Sequence, residues 1–150
     1  MEKRINLLEK PSNGLKPIFA LGGYLKNSTI ERPLQELINF RVSQINQCPF
    51  CLDMHSKDAR AGGETEQRLY GLNVWRETPY YTDRERAALA FAEAVTAVHV
   101  SDEIYSQASG HFTEEELIDL TLLITSINTW NRLQAAFPVK AGSYTAGQFG

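Results

Sequence analysis

The sequence predicts an all-α fold, a bundle of six or seven helices. No segment sustains a period-two alternation of apolar and polar residues bounded by turn chemistry, so no strand is expected. Thr82-Asp83-Arg84-Glu85 and Thr113-Glu114-Glu115-Glu116 each match the capping box, in which a threonine hydroxyl and a glutamate carboxylate satisfy orphan backbone N–H groups at a helix start. Apolar residues recur at helical spacing, as at Leu34, Leu37, Ile38, Val42 and Ile45.

Taken in order, residues 1–13 read as an irregular lead-in that closes at Pro11-Ser12-Asn13-Gly14. A first helix spans 15–26, with Pro17 near its start and Gly22-Gly23 weakening its middle. Asn27-Ser28-Thr29 is a turn. A second helix opens around Pro33 and runs to about Ile45. Glu36 lies nearly opposite its apolar stripe, on a side shared with Phe40 and Ser43. Read alone it is a solvated glutamate, although Phe40 asks for a second covering surface. The next helix starts at Pro49, which leaves Cys48 at or next to the N-cap, and ends at Gly62-Gly63.

Residues 64–70 make a short helix stopped near Gly71, and 78–81 are a loop. The Thr82 box launches an alanine-rich helix to about Val98. Ser101 caps a short helix through Ser109, and Gly110 breaks the chain. The helix from Glu114 to about Phe137 is apolar almost all round between Leu117 and Ile127. It therefore reads as the central buried one. Pro138 ends it, and 139–150 reads as a polar, Gly-containing tail.

At 150 residues the chain is expected to form one domain, residues 1–150, with a real core. Its 43% hydrophobic and 22% charged residues are the balance of a soluble globular protein. Net charge is −3 and no Lys/Arg cluster occurs, so nucleic acid is not an expected partner. The most apolar segment, 117–127, is interrupted by Asp119 and is too short to span a bilayer. The first residues lead into no apolar run of signal-peptide length, which points to the cytoplasm, a reducing compartment.

Both cysteines and one of the three histidines fall within Cys48-Pro49-Phe50-Cys51-Leu52-Asp53-Met54-His55. On a helix Cys48, Cys51 and His55 share one stripe with Leu52, Ala59 and Gly62, while Asp53, Ser56, Lys57 and Arg60 lie on the other side. Three readings compete. A structural disulfide closing so small a loop removes little chain entropy. A structural zinc site needs four ligands, and there is no second CxxC; His99 and His111 lie far off in sequence. Redox chemistry fits best, because a thiolate at a helix N-terminus is favoured by the dipole and a nearby imidazole can take its proton. No metal or cofactor is expected.

Glu36, followed by Arg41-Val42-Ser43-Gln44-Ile45-Asn46-Gln47-Cys48-Pro49-Phe50-Cys51 and His55, resembles the alkyl hydroperoxidase D-like proteins of the carboxymuconolactone decarboxylase-like superfamily. The pattern Glu-x11-Cys-x2-Cys-x3-His is far more specific than CxxC alone. Similarity continues through Tyr80–Leu89 and Ile127–Leu133, so it covers roughly 15–137.

The resemblance implies an all-helical fold and thiol-dependent reduction of a small hydroperoxide, with an external dithiol as reductant. By the same resemblance Cys51 is the peroxidatic thiol, Cys48 the resolving one, His55 the base, and Glu36 part of a proton relay. The helix terminus alone would favour Cys48 as the more activated thiolate; the family pattern and the His55 spacing favour Cys51. One departure stands at Phe50, where the best-known peroxidase of the family carries a second histidine. Members that decarboxylate a lactone ring lack the cysteine pair. Two readings of other classes stay open: a redox sensor or disulfide-exchange protein with little turnover, and a lyase or isomerase using Glu36 and His55 alone.

The resemblance also implies a homo-oligomer, a trimer or hexamer. Three features favour assembly: the alanine-rich and central helices, Phe40, and the aromatic group Trp75, Tyr80 and Tyr81. A neighbouring subunit would also shelter Glu36.

Overall fold

A computed structural model describes residues 4–10 and 12–150 of the protein. Among these the regular secondary structure is all helical, with seven α-helices and two 3-10 segments. After a 3-10 turn at Asn13–Leu15 come α1 (Lys16–Lys26), α2 (Arg32–Ile45), α3 (Pro49–Ala61) and α4 (Glu66–Tyr70). A 3-10 stretch, Leu72–Glu77, precedes α5 (Asp83–Thr96), α6 (Asp102–Ser109) and α7 (Glu114–Ala136). The expected all-α bundle is therefore present. The predicted lead-in falls partly on residues 1–3 and Pro11, which lie outside the described residues.

Both capping boxes form. Thr82 and Thr113 each accept from the backbone N–H of the third helical residue, and Glu85 and Glu116 reach back to the cap N–H. Each starts a helix that packs on α2, and the two also pack on each other. Leu37, Ile38 and Val42 of α2 meet Ala88, Leu89 and Ala92 of α5 and Leu120 and Ile124 of α7, all fully buried. Each buried leucine or isoleucine here contributes about 1.5–3 kcal/mol by leaving water. Ile45, the last member of the predicted α2 stripe, is exposed at the helix end.

α7 is the central helix, packing on α1, α2, α3, α5 and α6. It is not buried all round: Ile118 is exposed, while Asp119 is buried and accepts a hydrogen bond from the Tyr24 hydroxyl at 2.8 Å. That bond gives the one charge in the apolar stretch a partner and ties α1 to α7. Trp75 and Tyr81 are buried in this chain's own core, and Tyr80 and Phe40 pack against it. Trp75 and Tyr81 are therefore used internally, while Phe40 and Tyr80 stay half-buried.

The Leu72–Glu77 stretch has no local sequence signal and is held from outside. Trp75 Nε1 and Arg76 Nη1 donate to Glu93 of α5 at 2.9 and 2.7 Å, and Arg86 Nη1 donates to the Trp75 and Thr78 carbonyls. Arg41 of α2 reaches the same Glu93 at 2.9 Å. Burial alone would raise the Glu93 carboxyl, but the bonds from Trp75, Arg76 and Arg41 outweigh it and hold it below the ordinary glutamate range.

Candidate functional site

The α2–α3 junction places the cysteines. Asn46 ends α2, and Gln47 takes a left-handed conformation (φ 52°) that turns the chain. Cys48 then adopts an extended conformation as N-cap of α3, with Pro49 at the first helical position. Its backbone N–H donates to the Ser43 carbonyl at 3.1 Å. The turn is also held sideways. Asn46 Nδ2 donates to Asn128 and Asn131 of α7, both at 2.9 Å, and Asn131 Nδ2 donates to the buried Ser43 hydroxyl at 3.1 Å.

Cys48 and Cys51 are joined as a disulfide, and both are buried. Cys48 is the N-cap of α3 and Cys51 lies in its first turn, so a thiolate on either feels the helix N-terminus. His55 follows Cys51 by one turn on the same face and is 7% exposed. Its Nδ1 lies 2.8 Å from Glu36 Oε2. Glu36 is also 7% exposed, so the reading of it as solvated fails. The second side of α2 is covered by α3, and the shelter expected from a neighbouring subunit comes from the chain itself. Arg32 Nη2, one turn earlier on α2, lies 3.3 Å from Glu36 Oε1.

A carboxylate only accepts, so the short Glu36–His55 bond puts the imidazole proton on Nδ1. In the neutral imidazole Nε2 then carries the free lone pair, and this atom is buried with no hydrogen-bond partner. The arrangement is a histidine oriented by a carboxylate, within a turn of a cysteine pair, a geometry that can support general-base chemistry. All four residues singled out from the sequence are thus brought together.

Two further residues belong to the site. Asp58 shares the α3 face with Cys51 and His55, being i+7 and i+3 from them, and that spacing was the available signal. Glu36, His55 and Asp58 each offer a donor atom within 4.8 Å of the others, the set among the described residues that could hold a metal ion. Within this set Glu36 is paired with His55 Nδ1, and Asp58 accepts from the Tyr144 hydroxyl at 2.8 Å and the Gly147 N–H at 2.9 Å. Tyr144 is the second addition. Nothing in a polar tail marked it, yet it is buried beside Phe50 with ring centroids 6.4 Å apart.

A cavity of about 480 Å³ opens onto Cys51, His55 and Glu36. Its walls are chiefly apolar, including Ile18 and Phe19 of α1, Met54 of α3, and Leu123, Ile127 and Trp130 of α7. No helix among the described residues is long and apolar enough to cross a membrane.

Residues 15–94 match the Carboxymuconolactone decarboxylase family. The chain is 43% identical over 146 residues to YdfG of Bacillus subtilis, an uncharacterised protein, covering 95% of this chain and 99% of that one. A solved Agrobacterium tumefaciens protein of unknown function, described as a candidate antioxidant defence protein AhpD, superposes with a TM-score of 0.89. It is 37% identical, over 95% of this chain and 100% of that one. An uncharacterised peroxidase-related protein from Silicibacter superposes with a TM-score of 0.78 at 25% identity, over 91% and 74% of the two chains. The chain belongs to the carboxymuconolactone decarboxylase family, as an AhpD-like member of that superfamily.

Proposed function

We propose that the protein is a thiol-dependent peroxidase that reduces a hydroperoxide at Cys51 and passes the oxidation to Cys48. The observation that carries this is the unpartnered Nε2 of His55, backed by Glu36 and set one turn from a cysteine pair at the mouth of a cavity.

In the reduced protein His55 Nε2 takes the Cys51 proton, and the Glu36 carboxylate stabilises the imidazolium that results. The Cys51 thiolate attacks the terminal oxygen of the peroxide. The S–O bond forms as the O–O bond breaks, sulfur loses two electrons, and the leaving alkoxide takes the proton from His55 to depart as an alcohol. Cys48 then attacks the sulfenic sulfur as a thiolate, and the hydroxide leaves as water with the proton that Cys48 gave up. The product is the disulfide present in the structure. An external dithiol attacks that disulfide and is itself oxidised, which restores both thiols. With Phe50 where the family's best-known peroxidase has a second histidine, the relay here runs through His55 and Glu36 alone.

Peroxide turnover with a panel of reductants (a lipoyl-type dithiol, a thioredoxin-like protein, glutathione) tests the reading on wild type and Cys51→Ser. Turnover that depends on a dithiol and vanishes in Cys51→Ser supports it. An activity on a lactone or other carbon acid that survives loss of both cysteines would overturn it in favour of acid–base chemistry by Glu36 and His55.

A further inference from the structure

Segment 138–150 lies beyond the stretch that matches the family, yet it builds part of the cavity wall. It leaves α7, runs back across α3 and is fastened there repeatedly. The Gly142 N–H donates to Asp53 Oδ2 at 2.9 Å, and Lys57 Nζ donates to the Tyr144 carbonyl at 2.8 Å. The Tyr144 hydroxyl and the Gly147 N–H both donate to Asp58. Lys26 of α1 donates to the Phe149 and Gly150 carbonyls. Gly142 and Gly147 take the positive φ values, 93° and 77°, that let the strap change direction. The side of α3 away from the cysteine stripe, at Asp53 and Lys57, is thus part of the strap's anchorage.

The strap turns aromatic surface toward the cavity. Tyr144 is buried, and its ring packs against Phe149 with centroids 5.4 Å apart. Burial, with the Asp58 carboxylate adding to it, pushes the Tyr144 phenol up to about 12, so the hydroxyl stays a donor to its anchor at neutral pH. Elsewhere in the same cavity Phe19 and Trp130 pack at 5.0 Å. Phe19 and Phe149 are large apolar rings left exposed at the rim, 51% and 42%. The space, about 480 Å³, is far more than hydrogen peroxide fills, given roughly 30 Å³ for a water molecule.

We propose that the 138–150 strap determines substrate choice, its Tyr144 and Phe149 rings forming with Phe19 and Trp130 a slot for a bulky apolar hydroperoxide. The organic group lies among these rings and its O–O end meets Cys51. This rests on the peroxidase reading above and specifies its substrate. Hydrogen peroxide gains nothing from aromatic walls, whereas a ring-bearing group is drawn out of water by them.

The test compares kcat/KM for cumene hydroperoxide and hydrogen peroxide in wild type, Tyr144→Ala and Tyr144→Phe. The dissociation constant of the product alcohol, 2-phenyl-2-propanol, is read by tryptophan fluorescence as a measure independent of turnover. Wild type is expected to favour the cumene substrate at least tenfold, in line with the selectivity one apolar pocket contact provides. Tyr144→Ala is expected to lower that preference about tenfold, chiefly through KM, and to weaken alcohol binding to match. Tyr144→Phe keeps the ring and loses only the bond to Asp58, so it gives a smaller fall even should the alanine variant fold poorly. Equal kcat/KM for the two peroxides, or a preference unmoved by both variants, overturns the proposal and leaves the peroxidase reading standing. Failure of either peroxide to oxidise the wild-type dithiol removes the peroxidase reading and this assignment together.

Discussion

At the scale of single residues, the proposed mechanism turns on the pairing of Glu36 with His55. The bond fixes the imidazole tautomer and leaves Nε2 bare. Glu36→Gln keeps an acceptor for Nδ1–H through its amide oxygen but removes the negative charge beside the imidazole. The rate of Cys51 oxidation, followed by stopped-flow, is expected to fall about 10–100-fold, the range for losing a group that orients a functional histidine. An unchanged rate would show that His55 acts without its carboxylate. Cys48, Cys51 and His55 were legible because all three sit on one short helix, where spacing fixes their common face. Glu36 was legible only through the family pattern: its burial comes from α3 crossing over α2, which a helical wheel of α2 does not contain. Tyr144 was hidden for the same reason, since its partner Asp58 lies 86 positions away.

At the scale of elements, the helices read correctly wherever their starts carry their own chemistry. The Thr113 box begins α7, which supplies Asn128 and Asn131 to the turn before Cys48. Thr113→Ala removes the hydroxyl that accepts the Glu116 N–H and is expected to cost about 1 kcal/mol. For a chain of this size that is a fall of about 2–4 °C in Tm by calorimetry. No change in Tm would mean that packing alone holds the first turn of α7. The Leu72–Glu77 segment escaped the sequence because its partners are Glu93 and Arg86, contributed by α5. The strap escaped likewise: composition reads it as a polar tail, and only its contacts with α3 and α1 give it structure.

At the scale of the whole molecule, one carboxylate ties three elements. Glu93 joins α2 through Arg41 and the 3-10 segment through Trp75 and Arg76. Its folded pKa is depressed, so its contribution is complete above the ordinary glutamate value of about 4.3 and is lost as pH falls through the lower folded value. Denaturant titrations between pH 7 and pH 3 should show stability declining over the acid end, with less decline in Glu93→Gln. Identical slopes in the two proteins would remove Glu93 from the acid response.

Assembly belongs to this scale too. We propose a homo-oligomer, with a trimer or hexamer as the expected form from the family resemblance. Tyr70, Val74, Tyr105 and Ile118 are large apolar side chains left exposed, whereas Trp75 and Tyr81 are used internally. Light scattering at micromolar concentration should give a multiple of the 16.9 kDa chain mass, and a monomer mass would contradict the proposal.

The central claim is that Cys51 takes the oxygen and Cys48 resolves it. Mass spectrometry of fully reduced Cys48→Ser and Cys51→Ser, each mixed with one equivalent of cumene hydroperoxide and a sulfenic-acid trap, addresses it most directly. The account predicts one trapped sulfenic acid on Cys51 in Cys48→Ser, one equivalent of alcohol released, and no reaction in Cys51→Ser. Trapping on Cys48 in Cys51→Ser, with Cys51 inert in the other variant, would contradict it.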